Sequence, residues 1–212
     1  APTVDIIARN VGTLINDAAY GDITDYLSVP DGRYILDVTP GNDSSTVVAA
    51  FDVNLTGLGG SSAVVLASGF LAPDQNQNGE SFGLIAVLAD GTVVEFPMYE
   101  PTARLQVIHN AADVAADPVD VYLNGDLLLE DFAFRSATPF IDAPAGTELN
   151  IGIALPNTSV DDTLRNFKAM LDDGGTYVAI ANGVTAPDNY AANPDGRETA
   201  FTLWVKPMAR EM

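Results

Sequence analysis

The chain has 212 residues, 47% of them hydrophobic, enough to bury one or two ordinary cores. Nine basic against 29 acidic residues give a formal charge of -20, which repels phosphate backbones and anionic membrane surfaces and argues against nucleic acid as a partner. There is no cysteine, so disulfides, thiolate metal sites and cysteine nucleophiles are excluded together.

Strand and turn signals alternate from the start. Val4 to Ala8, Tyr34 to Val38, Val47 to Leu55, Ala63 to Ser68 and Phe82 to Leu88 are rich in β-branched, aromatic and aliphatic residues, several alternating with polar ones, and predict strands with one buried face. Pro30-Asp31-Gly32, Pro40 to Asp43, Gly57 to Ser61, Asp90-Gly91 and Asn124-Gly125 predict the turns between strands. Val160 to Leu171 has a helix-like opening at Asp161-Asp162, but its counterpart Val47 to Leu55 reads as strand, so it is taken as a strand with an irregular lead-in. No apolar run approaches the roughly 20 residues that span a bilayer. Ala1 follows no basic and apolar leader, and reads as a processed or excised end.

The chain repeats itself. Val4-Asp5-Ile6, Ala19-Tyr20, Thr24 to Leu27 and Val29 to Gly32 return as Val119-Asp120-Val121, Ala133-Phe134, Thr138 to Ile141 and Ala143 to Gly146. The spacing settles at 114 residues, as between Gly69 and Gly183, and continues through Ala72-Pro73-Asp74 and Ala186-Pro187-Asp188. The expectation is an all-β chain of two tandem Ig-like antiparallel β-sandwich domains, residues 1–100 and 101–212. Each is incomplete at one end. The first has no partner for the strand Ala103 to His109, and the second has no full equivalent of Gly91 to Phe96. An unfilled strand position leaves backbone N–H and C=O groups unpaired, so the ends are expected to be completed by head-to-tail self-association, by fold-back of the chain's own C-terminal segment or by sequence outside these residues. Val4, Ile6, Leu203, Trp204 and Val205 are the candidate assembly residues, with Trp204 as an aromatic anchor.

Ala103 to Asp113, followed by Asp117-Pro118-Val119-Asp120-Val121-Tyr122-Leu123-Asn124-Gly125, resembles the opening of domain-of-unknown-function family 4397. The resemblance runs on through Phe132-Ala133-Phe134, Thr138-Pro139-Phe140, Pro144-Ala145-Gly146 and Gly175 to Ala181, and the first half carries only the later parts of the pattern. Asn76 to Gly79 with Phe82-Gly83-Leu84 further resembles the version found in secreted, cell-surface proteins of Bacteroidota. The resemblance implies a secreted β-sandwich and brings no catalytic residues.

Chemical readings of single groups are weak. Asp74, Asn76, Asn78 and Glu80 place oxygens at alternate positions around Gly79, the start of a calcium loop, yet the closing acid at its twelfth position is Ile85. A solvated Asx-rich hairpin loop is the plainer reading, with calcium kept as a candidate cofactor. His109, the sole histidine, has no nucleophile motif or second histidine and is expected to make a structural hydrogen bond. Most of Tyr20, Tyr26, Tyr34, Tyr99, Phe132, Phe134, Phe140 and Trp204 sit at strand periodicity, so core packing is the expectation, with a sugar-stacking platform as the alternative. The functional expectation is a non-enzymatic, secreted structural protein of a filament or surface array. The alternative is an adhesion module for a surface glycan, calcium-assisted or not.

Overall fold

A computed structural model describes residues 3–211. They fall into two compact units, the first ending at Tyr99 and the second beginning at Glu100. Both are built of strands and short 3-10 turns, and no described helix is long and apolar enough to cross a membrane.

The first unit contains β1 (Val4–Ala8), β2 (Gly12–Ala18), β3 (Arg33–Pro40), β4 (Ala49–Asn54), β5 (Ala63–Ser68), β6 (Gly83–Leu88) and β7 (Val93–Phe96). They form a four-stranded sheet in the order β2-β1-β3-β4 and a three-stranded sheet β5-β6-β7. Apolar side chains from both sheets meet in one core of Val38, Ala49, Phe51, Val53, Leu84, Ala86 and Phe96. Burying side chains of this size contributes about 1.5–3 kcal/mol each, which is what holds two short sheets face to face. The core draws no buried residue from β5.

The second unit contains β8 (Thr102–His109), β9 (Val119–Leu123), β10 (Asp126–Phe132), β11 (Ile141–Pro144), β12 (Glu148–Ala154), β13 (Arg165–Met170), β14 (Thr176–Asn182) and β15 (Thr202–Pro207). Two four-stranded sheets, β10-β9-β12-β13 and β11-β8-β14-β15, enclose the larger core. Between β9 and β10, Asn124 and Gly125 both take positive φ, 53° and 97°, as a two-residue hairpin requires. Ahead of β13 a 3-10 turn, Val160–Asp162, is capped by the Ser159 side chain, which gives that strand its irregular lead-in.

The two units share more than strand order. Asp5 Oδ1 accepts from the Asp17 amide at 2.7 Å and Asp120 Oδ1 from the Asp131 amide at 2.8 Å, at matching irregularities where Asp17 and Asp131 take positive φ. Gly69 and Gly183 lie so close to the carbonyls of Ser81 and Ala200 that a Cβ would strike them, and the next residues form the parallel bridges Phe70 to Ser81 and Val184 to Ala200. One pairing departs from the antiparallel expectation: β8 runs parallel to β14, in the register Arg104 to Thr176 through His109 to Ala181. The chain crosses the opposite sheet between these strands, which supplies the long connection that parallel neighbours need.

Thr39 of β3 is fully buried, and its Oγ1 has no hydrogen-bond partner among the described residues. Burial without a partner costs a hydroxyl its hydration. Thr39→Val is therefore expected to raise stability by about 1 kcal/mol in urea denaturation; a loss of that size would show that the hydroxyl is paired.

Candidate assembly surface

β8 alternates as a strand between two layers should. Ala103, Leu105, Val107 and His109 point inward and are buried, while the residues between them are only partly covered or exposed. One edge of β8 is laddered to β14 and the other to β11, where Ile141 faces Leu105 and Pro144 faces Thr102. Beyond β11 the clasp continues through Thr138. Its amide donates to the Val107 carbonyl, its hydroxyl accepts from the Val107 amide at 2.9 Å, and its carbonyl accepts from the Gln106 side chain. The His109 amide donates to Ser136 O and its carbonyl accepts from the Arg135 amide.

The turn after β8 is pinned as well. Asp113 accepts from the Thr185 amide and hydroxyl, both at 2.6 Å, from the Tyr190 hydroxyl at 2.7 Å and from the Ala115 amide. The Thr185 hydroxyl, more than any other group, holds the buried Asp113 carboxyl well below the usual carboxylate range, against the effect of burial. The same contact raises the Tyr190 phenol. His109 is fully buried against Phe132 and Phe134; its Nε2–H donates to Ala116 O at 2.8 Å and its Nδ1 accepts from the Ala111 amide. Both ring nitrogens are thus engaged by backbone, as the sequence leads one to expect of a structural histidine.

In the first unit the equivalent slot is open. β5 corresponds to β14, and among the described residues β5 is laddered only to β6. Val65 occupies the position of Ala179 and is 54% exposed, where Ala179 is 2% exposed. The counterpart of β11, Leu27 to Pro30, forms no strand, and all of residues 20–31 are exposed. Tyr20 and Tyr26, the counterparts of Phe134 and Phe140, are 91% and 84% exposed. These two tyrosines correct the expectation of core packing: with no counterpart of β8 between them and β5, the segment has nothing to pack against.

Residues 103–198 match the family described as Domain of unknown function (DUF4397). The match lies within the second unit. The matched stretch begins within β8 and takes in all of that strand but Thr102. No curated protein matches the chain.

A second unpaired edge lies on the DUF4397 domain itself. In the first unit β7 covers β6, and the residues after it reach β4, through Asp52 N to Pro97 O, Tyr99 N to Ala50 O and the bridge of Phe51 with Met98. β15 corresponds to β6 and, among the described residues, is paired only with β14. The place of β7 is an open cleft lined by Lys168, Met170, Tyr177, Leu203, Val205 and Pro207. Leu203 and Val205 face inward toward the core, and Trp204, 49% exposed, stands on the outer face of this edge strand. Val4 and Ile6 are placed differently from Leu203 to Val205: β1 is paired on both sides, to β2 and β3, so the open edge of the first unit is β5.

The calcium-loop residues lie at the tip between β5 and β6. Asp74 sits in the 3-10 turn Pro73–Gln75, the Asn76 side-chain amide donates to Ala72 O at 2.7 Å, Asn78 takes positive φ with its amide on Pro73 O, and the Glu80 carbonyl accepts from the Phe70 amide. The loop is closed by its own hydrogen bonds, with Gly79 packed on the Phe70 ring. No group of three or more His, Cys, Asp or Glu positioned for a metal occurs among the described residues. Inside the DUF4397 domain, the space lined by Leu105, His109, Val121, Phe132 and Ile151 is about 30 Å³, room for a water and not for a ligand.

Two measurements check this geometry. Because the folded Asp113 carboxyl titrates below its unfolded counterpart, its contribution is complete above the ordinary aspartate pKa and is lost as pH falls from about 4 toward the folded value. Asp113→Asn is expected to cost about 2 kcal/mol at pH 7 and less at pH 3, read by urea denaturation; an equal cost at both pH values would contradict the charged clamp. Calcium chelation is expected to leave the melting temperature unchanged, since hydrogen bonds within the loop hold Asp74 to Glu80, and a drop on chelation would show a bound ion.

Proposed function

We propose that this chain is a non-enzymatic structural subunit of an extracellular filament or surface array, joined head to tail by β-strand complementation. One observation carries the reading: among the described residues, two sandwich units have unpaired strand edges at non-equivalent places, β5 in the first and β15 in the second. Edges that differ favour head-to-tail contacts, and contacts of that kind propagate as a filament unless they close into a ring. Engagement of both His109 ring nitrogens by backbone leaves no histidine base and supports a non-enzymatic role. The extracellular setting rests on the resemblance to secreted Bacteroidota surface proteins.

A second reading, a glycan-binding adhesion module, is favoured by the exposed rings of Tyr20 and Tyr26, which suit stacking on sugar faces. It differs from the first in requiring those rings to be free in the working state.

Electron microscopy of concentrated protein at moderate salt, where the mutual repulsion of chains of charge -20 is screened, separates the two. Filaments are expected, shortened or lost when residues beyond Pro207 are removed. Isolated particles at every concentration and salt would contradict assembly, and glycan-dependent loss of tyrosine accessibility would favour adhesion.

A further inference from the structure

We propose that the outer face of β5-β6-β7 in the first unit docks on the outer face of β8-β14-β15 in the second unit of another copy of this chain. The inference rests on the reading that the chain self-associates, and adds a contact which that reading does not use, between sheet faces rather than strand edges. Side chains that point outward from a sheet do so whatever pairs with its edges, so the contact is independent of how β5 and β15 are completed.

Alternation along the strands sets both faces. Leu84, Ala86 and Phe96 turn into the core, so Ile85, Val87, Val93 and Glu95 point outward. The registers of β5 and β7 on β6 then place Val64, Val87 and Val93 in one row and Leu66, Ile85 and Glu95 in the next. Val64, Leu66 and Val93 are exposed. On the second unit Val107, Ala179 and Ala181 are buried, so Trp204, Ile180 and Ile108 make one outer row and Lys206, Val178 and Gln106 the next. Each unit therefore turns an apolar block outward on the equivalent one of its two sheets. The other sheet of each unit is charged outside: Asp37 and Asp52 are held by Arg9 and Arg33, and Glu148 by Lys168. An apolar face on a surface otherwise rich in carboxylates marks a contact site.

Charge selects the occupant. Copies that each carry -20 repel, so they approach closely only where acids are few. The two rows on the second unit hold no carboxylate, and in the row beyond them Asp142 and Glu211 are both bonded to Arg104. Glu95 is the one acid in the rows of the first face and Lys206 the one cation in those of the second, and neither makes an ion pair among the described residues. Docking first face on second brings these opposite charges to one contact, whereas docking like faces opposes Glu95 to Glu95 or Lys206 to Lys206. Trp204 supplies the large aromatic surface that anchors such a contact. Contacts between unlike faces propagate from copy to copy. Three strands about 4.8 Å apart make each face only roughly 15 Å wide, so one contact is weak and association requires concentration.

Val93→Lys disables the first face and Trp204→Lys the second, each at an exposed outward position that leaves backbone pairing in place. Both also reduce the negative charge, so general repulsion predicts tighter association and face docking predicts weaker. Sedimentation velocity over a wide concentration range at moderate salt is expected to show reversible association of the unaltered chain, weakened at least tenfold by either substitution. An equimolar mixture of the two variants retains one good contact and is expected to form dimers that grow no further. Glu95→Lys is expected to weaken association, and Lys206→Glu in the same chain to restore it. Association unaffected by both lysine substitutions, dimers formed by either variant alone, a double reversal no tighter than the single, or a monomer at every concentration would overturn the proposal. Strand complementation is judged separately, by hydrogen exchange of the open-edge amides of β5 in the associated protein. Association that depends on Val93 and Trp204 while those amides stay exposed keeps the docked faces and loses the complementation; association that ignores both substitutions while those amides are protected does the reverse.

Discussion

The ladder between β8 and β14 is the interaction on which the organisation of both units turns. A strand inside a sandwich has two edges to satisfy, and β8 pairs the edge of β14 that β15 leaves free, setting Val107 and His109 beside the buried Ala179 and Ala181. It also gives β11 something to pair with. Removing that one strand from the pattern undoes three things together, and the first unit shows all three, in the open edge of β5, the exposure of Val65 and the unpaired course of residues 20–31.

The acidic surface bears on what closes such an edge. Copies that each carry a charge of -20 repel at long range, so contacts between them depend on short-range apolar burial and backbone pairing, both of which the open slot offers. Charge of one sign also discourages indiscriminate edge-to-edge pairing, the ordinary hazard of an uncovered hydrophobic strand.

Much of this was legible in the residues. Alternation in Ala103 to His109 and in Thr176 to Asn182, together with the Asn124-Gly125 turn, located strands because one buried face imposes a period of two. The repeat exposed the missing strand because two copies of one pattern can be compared position by position. What it concealed follows from the same fact. Tyr20 and Tyr26 have the residue types of core positions and read as core, since composition records the filled state of the slot and not its occupancy in one chain. Val4 and Ile6 were nearest to the gap in sequence, whereas the edge left open belongs to β5, its neighbour only after folding. The parallel sense of β8 and β14 had no local signal, because it depends on the path of the chain between them. The clamp at Asp113 joins residues more than seventy positions apart and could be read only from the folded chain.

Hydrogen exchange of individual backbone amides tests the central claim most directly, by comparing β5 with β14 in the unassembled protein. Alternate amides of β5, those on its open edge, should exchange like exposed backbone, while all amides of β14 between its two paired neighbours should be slow. Uniform protection along β5 would mean that its far edge is already covered, and would contradict an open strand position in the first unit.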